Sequence, residues 1–302
     1  LLGHLITIPT AMAIAEIATN QKVEGGGEYY IISRSFGINI GAAIGLTLYL
    51  SQAISIAFYA IAFSEAFDGV IEWLNDMYHI FIWDKRFISA PLVLILSIVM
   101  LSKGAQLGIK ILYPVVAILV VSLLFLFLGD TNYMSENENF DFFKTIQNPD
   151  SFFIVFAIIF PAFTGMTAGV GLSGDLLDPK KAIPLGSLMA TFTGMLIYLF
   201  IAYKLTISAS PEDLTSDQLI MGKIALWGPI IALGLAAATF SSALGSIMVA
   251  PRTLQALASD KIIPNRGINA FLSKETKKGE PFNATVITIL IALFFLMVGD
   301  IN

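Results

Sequence analysis

The sequence predicts an all-α membrane protein with several spanning helices, and three observations predict it. The 302-residue chain is 56% hydrophobic and only 13% charged, whereas an average soluble domain has about a quarter of its residues charged. Its mean hydropathy is +0.80. Its apolar residues come in long charge-free stretches without period-two alternation. Such stretches fit spanning helices of ~20 residues and are too long for barrel strands.

The stretches between charges run over 1–15, 35–64, 87–102, 111–129, 151–174, 182–203, 224–251 and 281–299. They predict eight spans, at about 1–19, 38–64, 87–102, 109–129, 152–174, 182–204, 224–250 and 282–299. The first is entered part-way, because Leu1 already lies in an apolar run, and Glu16 falls near its far end. The second is uncharged throughout and holds Tyr59 in SIAFYAIAF. The third is short, but its flanking Arg86 and Lys103 can snorkel to the two interfaces. The fourth is an unbroken apolar run, and the fifth carries Pro161 followed by Gly165, Gly169, Gly171 and Gly174. The sixth follows the basic pair Lys180-Lys181, the seventh carries Ser241 and Ser242, and the eighth ends the chain. Together they make residues 1–302 a single transmembrane domain, with both ends read as truncations.

Lys and Arg set an orientation. Twelve of the seventeen fall in the connections after spans one, three, five and seven. Those connections are therefore expected in the cytoplasm, with Lys277 and Lys278 among them and the acidic loop around Glu136 outside. The first span then runs inward, so a cytoplasmic N-terminus needs one more span before Leu1.

Several chemistries are excluded. The chain has no cysteine, which removes disulfides and thiolate metal sites, and only two histidines, His4 and His79, which leaves little for a zinc or iron centre. Neither histidine has a nucleophile pattern around it, so a membrane hydrolase is unsupported. A net charge of −5 without a clustered basic face speaks against nucleic acid.

Some segments carry groups that could bind ions. Span 152–174 reads as a helix built to break, since proline removes a donor and close glycines favour unwinding. In a bilayer, freed carbonyls suit a cation and freed N–H groups an anion. A kinked helix with glycines for close packing predicts the same residues. The hydroxyls of Ser241 and Ser242 can complete a shell of neutral oxygens, or bond back to their own helix. Tyr59 is open to the same two readings. Glu16 is an intramembrane acid close enough to its interface to reach water. The run Gly25-Gly26-Gly27 lacks a phosphate-loop lysine and is expected to supply positive φ in a short cytoplasmic turn.

Three blocks carry a resemblance: ATNQKVEGGGEYYIISRSFG at 18–37, FPAFTGMTAGVGLSGDLLDPKKAIPLG at 160–186, and SSALGSIMVAPRTLQALASDKIIP at 241–264. They resemble the cation-chloride cotransporters of the amino acid-polyamine-organocation superfamily. The resemblance runs through nearly the whole chain. Its specific part is Ser173-Gly174-Asp175, where related amino-acid permeases usually carry glutamate.

The resemblance implies a LeuT-like inverted-repeat helix bundle, of which this chain is a fragment covering roughly transmembrane helices 2–9. It implies a multi-pass transporter of the cell membrane with no cofactor, moving sodium, potassium and chloride electroneutrally by alternating access. Tyr59, Pro161 and Thr164 match the family's potassium ligands. Backbone amides of Gly165, Met166 and Thr167 match its chloride site, and Ala238, Ser241 and Ser242 its sodium site. The serine pair favours the sodium-coupled branch. The bilayer is its other partner, and the resemblance leaves room for a homodimer. Glu16 stands where animal members have a small residue and many amino-acid permeases have glutamate, which keeps an amino-acid permease open. A channel or a non-transporting scaffold is the remaining alternative. The short 204–223 loop, and an acceptor triplet Asn283-Ala284-Thr285 on the cytoplasmic side, favour a prokaryotic member.

Overall fold

The computed structural model describes residues 2–20, 26–69, 71, 77–78, 84–103, 105–129, 149–165, 168–171, 176–217, 219–276 and 279–299. All the regular elements among them are helices. In chain order they are α1 (Leu2–Asn20), α2 (Gly27–Phe36), α3 (Ile38–Glu65), α4 (Arg86–Lys103), α5 (Ala105–Leu128) and α6 (Phe152–Ile159). A 3-10 turn, Phe160–Phe163, continues α6, and α7 (Ala168–Gly171) follows. Then come α8 (Pro179–Ser208), α9 (Pro211–Ser216), α10 (Ile220–Ile224), α11 (Pro229–Ser259), α12 (Arg266–Leu272) and α13 (Phe282–Val298). Five helices are long and apolar enough to cross a membrane: α1, α3, residues Leu107–Leu128 of α5, α8 and α11. Arg86–Ser102, Phe152–Phe163 and α13 are apolar and shorter.

Proline does not end these helices by itself. Pro9, Pro91, Pro114, Pro184 and Pro251 all lie inside continuous helices, as neighbours in an apolar bundle allow.

α11 is the central post. It packs on α3, α5 and α13, and its Leu244, Ile247 and Met248 share a core with Ile56 of α3, Leu96 of α4 and Leu296 of α13. A second core lies toward the other end of the post, where Leu257 packs with Tyr29, Tyr49 and Leu272. Small residues permit this close approach. A Cβ on Gly41 would collide with Ser33, on Gly45 with Tyr29, on Gly108 with Met248 and on Gly234 with Ser122. α1 instead pairs with α8 and touches the 3-10 turn. Ala18, Ile31, Val170 and Ile183 join α1, α2, α7 and α8 into a smaller cluster.

The bundle has two chemically different ends. One gathers α2, the C-terminus of α11 and the N-terminus of α13: Tyr29 Oη donates to Asp260 at 2.7 Å, and Arg252 pairs with Glu280 at 3.1 Å. The other gathers the C-termini of α3, α5 and α8: Lys85 pairs with Asp68 at 2.9 Å, and Lys204 Nζ donates to the Gly129 carbonyl at 2.7 Å. Lys277, Lys278 and the loop around Glu136 lie outside the described residues.

The segment read as a short glycine turn is more structured than that. Gly26 and Gly27 do adopt positive φ, 102° and 51°, and Gly25 lies outside the described residues. The turn leads into the ten-residue helix α2, whose Glu28 and Arg34 sit at the ends that suit their charges. A Cβ on Gly27 would come within 2.7 Å of Gly171 Cα, so close backbone contact with α7 is a second reason for glycine here.

Candidate functional site

The most unusual backbone lies between α6 and α7. The α-helix stops at Ile159, the 3-10 turn covers Phe160–Phe163, and Thr164 is extended at φ −91°, ψ −178°. Gly165 then turns left-handed at φ +99°. A Cβ there would touch none of the described residues, and the backbone angle by itself favours glycine at the position. A helix that stops releases its last carbonyls, and two of them find side-chain donors. The Pro161 carbonyl accepts from Thr164 N at 3.2 Å and Thr164 Oγ1 at 2.7 Å. The Ala162 carbonyl accepts from Tyr198 Oη of α8 at 2.8 Å.

The residues matched to potassium sit on separate elements. Pro161 and Thr164 are exposed at the break, while Tyr59 is half-buried on α3 against the main core, its ring edge-on to Phe58. No hydrogen bond joins Tyr59 to Thr164 among the described residues. Of the residues matched to chloride, Gly165 is at the left-handed position, and Met166 and Thr167 lie outside the described residues.

The residues matched to sodium converge on one oxygen. Ser241 Oγ donates to the Ala238 carbonyl at 3.2 Å, and Ser242 Oγ donates to the same carbonyl at 3.0 Å. Each hydroxyl uses its one hydrogen and keeps its lone pairs, the part a cation needs. In a continuous helix this carbonyl also faces the Ser242 N–H, so a cation on it requires the hydroxyls to rotate and the helix to open locally. The break repeats the motif, with Thr164 on Pro161. Ala238 also lines a cavity of about 730 Å³ between α3, α5, α10 and α11, which reaches Glu65 at the acidic end of the bundle.

Other residues singled out in the sequence fall elsewhere. Glu16 is exposed in a shallow groove beside Pro9, Met12 and Leu188. His4 is buried, its Nδ1 3.1 Å from Thr7 Oγ1, and His79 lies outside the described residues.

Three features carry no signal in the sequence. Tyr198 sits in an ordinary apolar run, and Lys204 is buried at the end of α8, where its ammonium serves the Gly129 carbonyl just past α5. The third is the joint of α2 with α11. Arg34 grips Asp260 with two nitrogens, at 2.9 and 3.0 Å, and its guanidinium lies 4.8 Å from the Tyr30 ring centre. Arg34, with Tyr29 as second donor, holds the Asp260 carboxyl below the usual range, while burial pushes Glu28 up to about 7.

With this geometry in view, comparison with known proteins is direct. The chain is similar to solute carrier family 12 member 2 of Mus musculus, 31% identical over 353 aligned residues that take in 100% of this chain and 29% of that protein. The Homo sapiens protein of the same name gives the same identity and coverage. Solute carrier family 12 member 1 of Mus musculus is 29% identical over 352, covering 100% of this chain and 32% of the relative. The chain thus spans less than a third of the length of these relatives. Residues 1–302 match the amino acid permease family along their whole length. A multi-pass helical membrane protein by its own fold, the chain belongs to the amino acid permease family.

Proposed function

We propose that the chain forms the core of a secondary active transporter that carries chloride with sodium, potassium or both, electroneutrally and by alternating access. The observation that carries this reading is the interrupted segment between α6 and α7. Irregular backbone at membrane depth is stable only where it is buried in protein or lines a water-filled cavity. Here Pro161 and Thr164 stand exposed at the interruption, as a transported ion requires. Similarity at about 30% identity to two solute carriers of family 12 supports the chloride-coupled branch.

On this reading Tyr59, Pro161 and Thr164 ligate potassium, Ala238, Ser241 and Ser242 ligate sodium, and amides of Gly165, Met166 and Thr167 hold chloride. All these ligands are neutral, so pairing each cation with chloride spares the apolar interior a lone charge costing several kcal/mol. The α1–α8 pair, moving with the break it braces, rocks against the α3–α11 body, which holds the sodium oxygens. The end bearing Arg34, Lys261 and Arg266 faces the cytoplasm, the acidic end faces outside, and the cavity beside Ala238 is entered from outside. The short 204–223 segment fits a prokaryotic member.

An amino-acid substrate is the second reading, favoured by the family match itself and by the exposed carboxylate of Glu16 within α1. Liposomes holding the full-length protein separate the two, with uptake of chloride, rubidium or amino acids titrated against each cation. Ser241→Ala should raise the sodium concentration for half-maximal uptake about tenfold and leave potassium dependence unchanged, because a site of a few neutral oxygens feels the loss of one. Tyr59→Phe should do the reverse. Sodium-driven amino-acid uptake without chloride dependence overturns the ion reading.

A further inference from the structure

The interruption is held by side chains from both of its neighbours. Tyr198 of α8 donates its hydroxyl to the Ala162 carbonyl at 2.8 Å, and its ring meets Phe163 edge-on with centroids 5.3 Å apart. The same Phe163 ring meets His4 of α1 at 4.9 Å, also edge-on. Gly3, beside it, has no room for a side chain, since a Cβ would collide with Phe163. Residue 162 is thus fixed through its backbone and residue 163 through its ring. Thr164 comes next, and among the described residues its own hydroxyl bonds back to Pro161 within the turn. The position of the Pro161 and Thr164 oxygens relative to the rest of the protein is therefore set at Ala162 and Phe163.

We infer that Tyr198 is a positioning residue for the cation site: by holding the Ala162 carbonyl and bracing Phe163 against α1, it fixes where the Pro161 and Thr164 oxygens stand. This rests on the reading of Pro161 and Thr164 as potassium ligands. Tyr198 touches no ion itself. Its hydroxyl occupies a carbonyl freed by the break, so that this carbonyl neither turns toward the ion nor lets the turn rewind into a helix.

The test is rubidium uptake by the full-length protein in liposomes, with rubidium and sodium titrated separately. Tyr198→Phe keeps the ring and removes one neutral hydrogen bond. It should raise the rubidium half-saturation about fivefold, the effect of losing such a bond, and leave both the sodium half-saturation and the maximal rate per protein unchanged. Gly3→Ala pushes Phe163 from the α1 side and should move rubidium in the same direction. Thr164→Ala is measured alongside. If it raises the rubidium half-saturation while Tyr198→Phe and Gly3→Ala do not, the potassium reading stands and the positioning role falls. If Thr164→Ala shifts nothing, both fall. Equal shifts for rubidium and sodium in Tyr198→Phe, or a lowered rate alone, mark a general structural part and also overturn the inference.

Discussion

The most apolar stretches of α8 and α11 have the same mean hydropathy, 1.8, yet 11% of one is buried inside the protein and 44% of the other. Hydropathy alone therefore does not say which helix is a core post and which lies at the surface of the bundle. Where the small residues lie contributes to the difference. The buried face of α11 sets Ala236, Ala237, Ala243, Ser246 and Ala250 among Leu244, Ile247 and Met248, and the small residues let α3 and α5 come close. α8 turns Leu185, Met189, Phe192 and Phe200 outward. Where lipid is as apolar as leucine, close packing of small residues rather than apolar area distinguishes an internal face.

The largest effect expected from this contrast is on stability. Leu244 of α11 is fully buried and Leu199 of α8 is 42% exposed. Leu244→Ala should cost about 3 kcal/mol through the cavity it leaves, and Leu199→Ala less than about 1 kcal/mol, as at a surface position. Thermal unfolding of the purified protein in one detergent measures both. Equal losses would remove the distinction between the post and the helix at the surface of the bundle.

An intermediate effect is expected where α8 is attached to the main body. Lys204 is 7% exposed, and its ammonium donates to a carbonyl released at the end of α5, as favours a cation at a helix C-terminus. Lys204→Met keeps most of the apolar stem and removes the bond, which should cost about 1.5 kcal/mol in the same measurement. A variant as stable as the parent would show that apolar packing, with Ile201 and Leu205 against Leu126 and Ile224, holds α8 without this bond.

The two regions also differ in how far the sequence reveals them. Charge-free length marks the apolar segments, because a spanning helix needs that length whatever it touches. The break was legible only as a combination. Five prolines sit in continuous helices, and the one at position 161 differs in being followed by Gly165, which takes φ +99°. The six-residue helix α9 went unread although Ser210 caps it locally, and α10, α12 and the amphipathic α2 were not legible, since each is short and is held by contacts with distant segments. Tyr198 and Lys204 were hidden for the same reason: each serves a carbonyl that only the fold brings near. The serine pair was legible as two hydroxyls in an uncharged helix, but its convergence on the Ala238 carbonyl required the structure.

The smallest effect expected lies at the joint between the regions, and it depends on pH. α2 packs on α3 and α11 while Gly27 lies against Gly171 of α7, so loosening α2 weakens the link between post and break. Burial raises Glu28 from 4.5 to about 7, so its folded environment favours the protonated form. For a raised acid, the stability linked to the group is fully present below its ordinary value and declines as pH rises toward the folded one. The decline should therefore fall between about pH 4.5 and 7 and level off above. Asp260 runs the other way: its lowered value contributes stability above the ordinary carboxylate range, lost only as pH falls below about 4. Between pH 5.5 and 8 Glu28 is thus the member of this joint that changes charge. Its partial exposure and its place in the first turn of α2 both favour the charged form and reduce the effect. Hydrogen exchange of the α2 amides, corrected for intrinsic rates, should show protection a few-fold lower at pH 8 than at 5.5. Glu28→Gln, which stays neutral, should abolish the difference, and a pH dependence unchanged in that variant would assign it to another group.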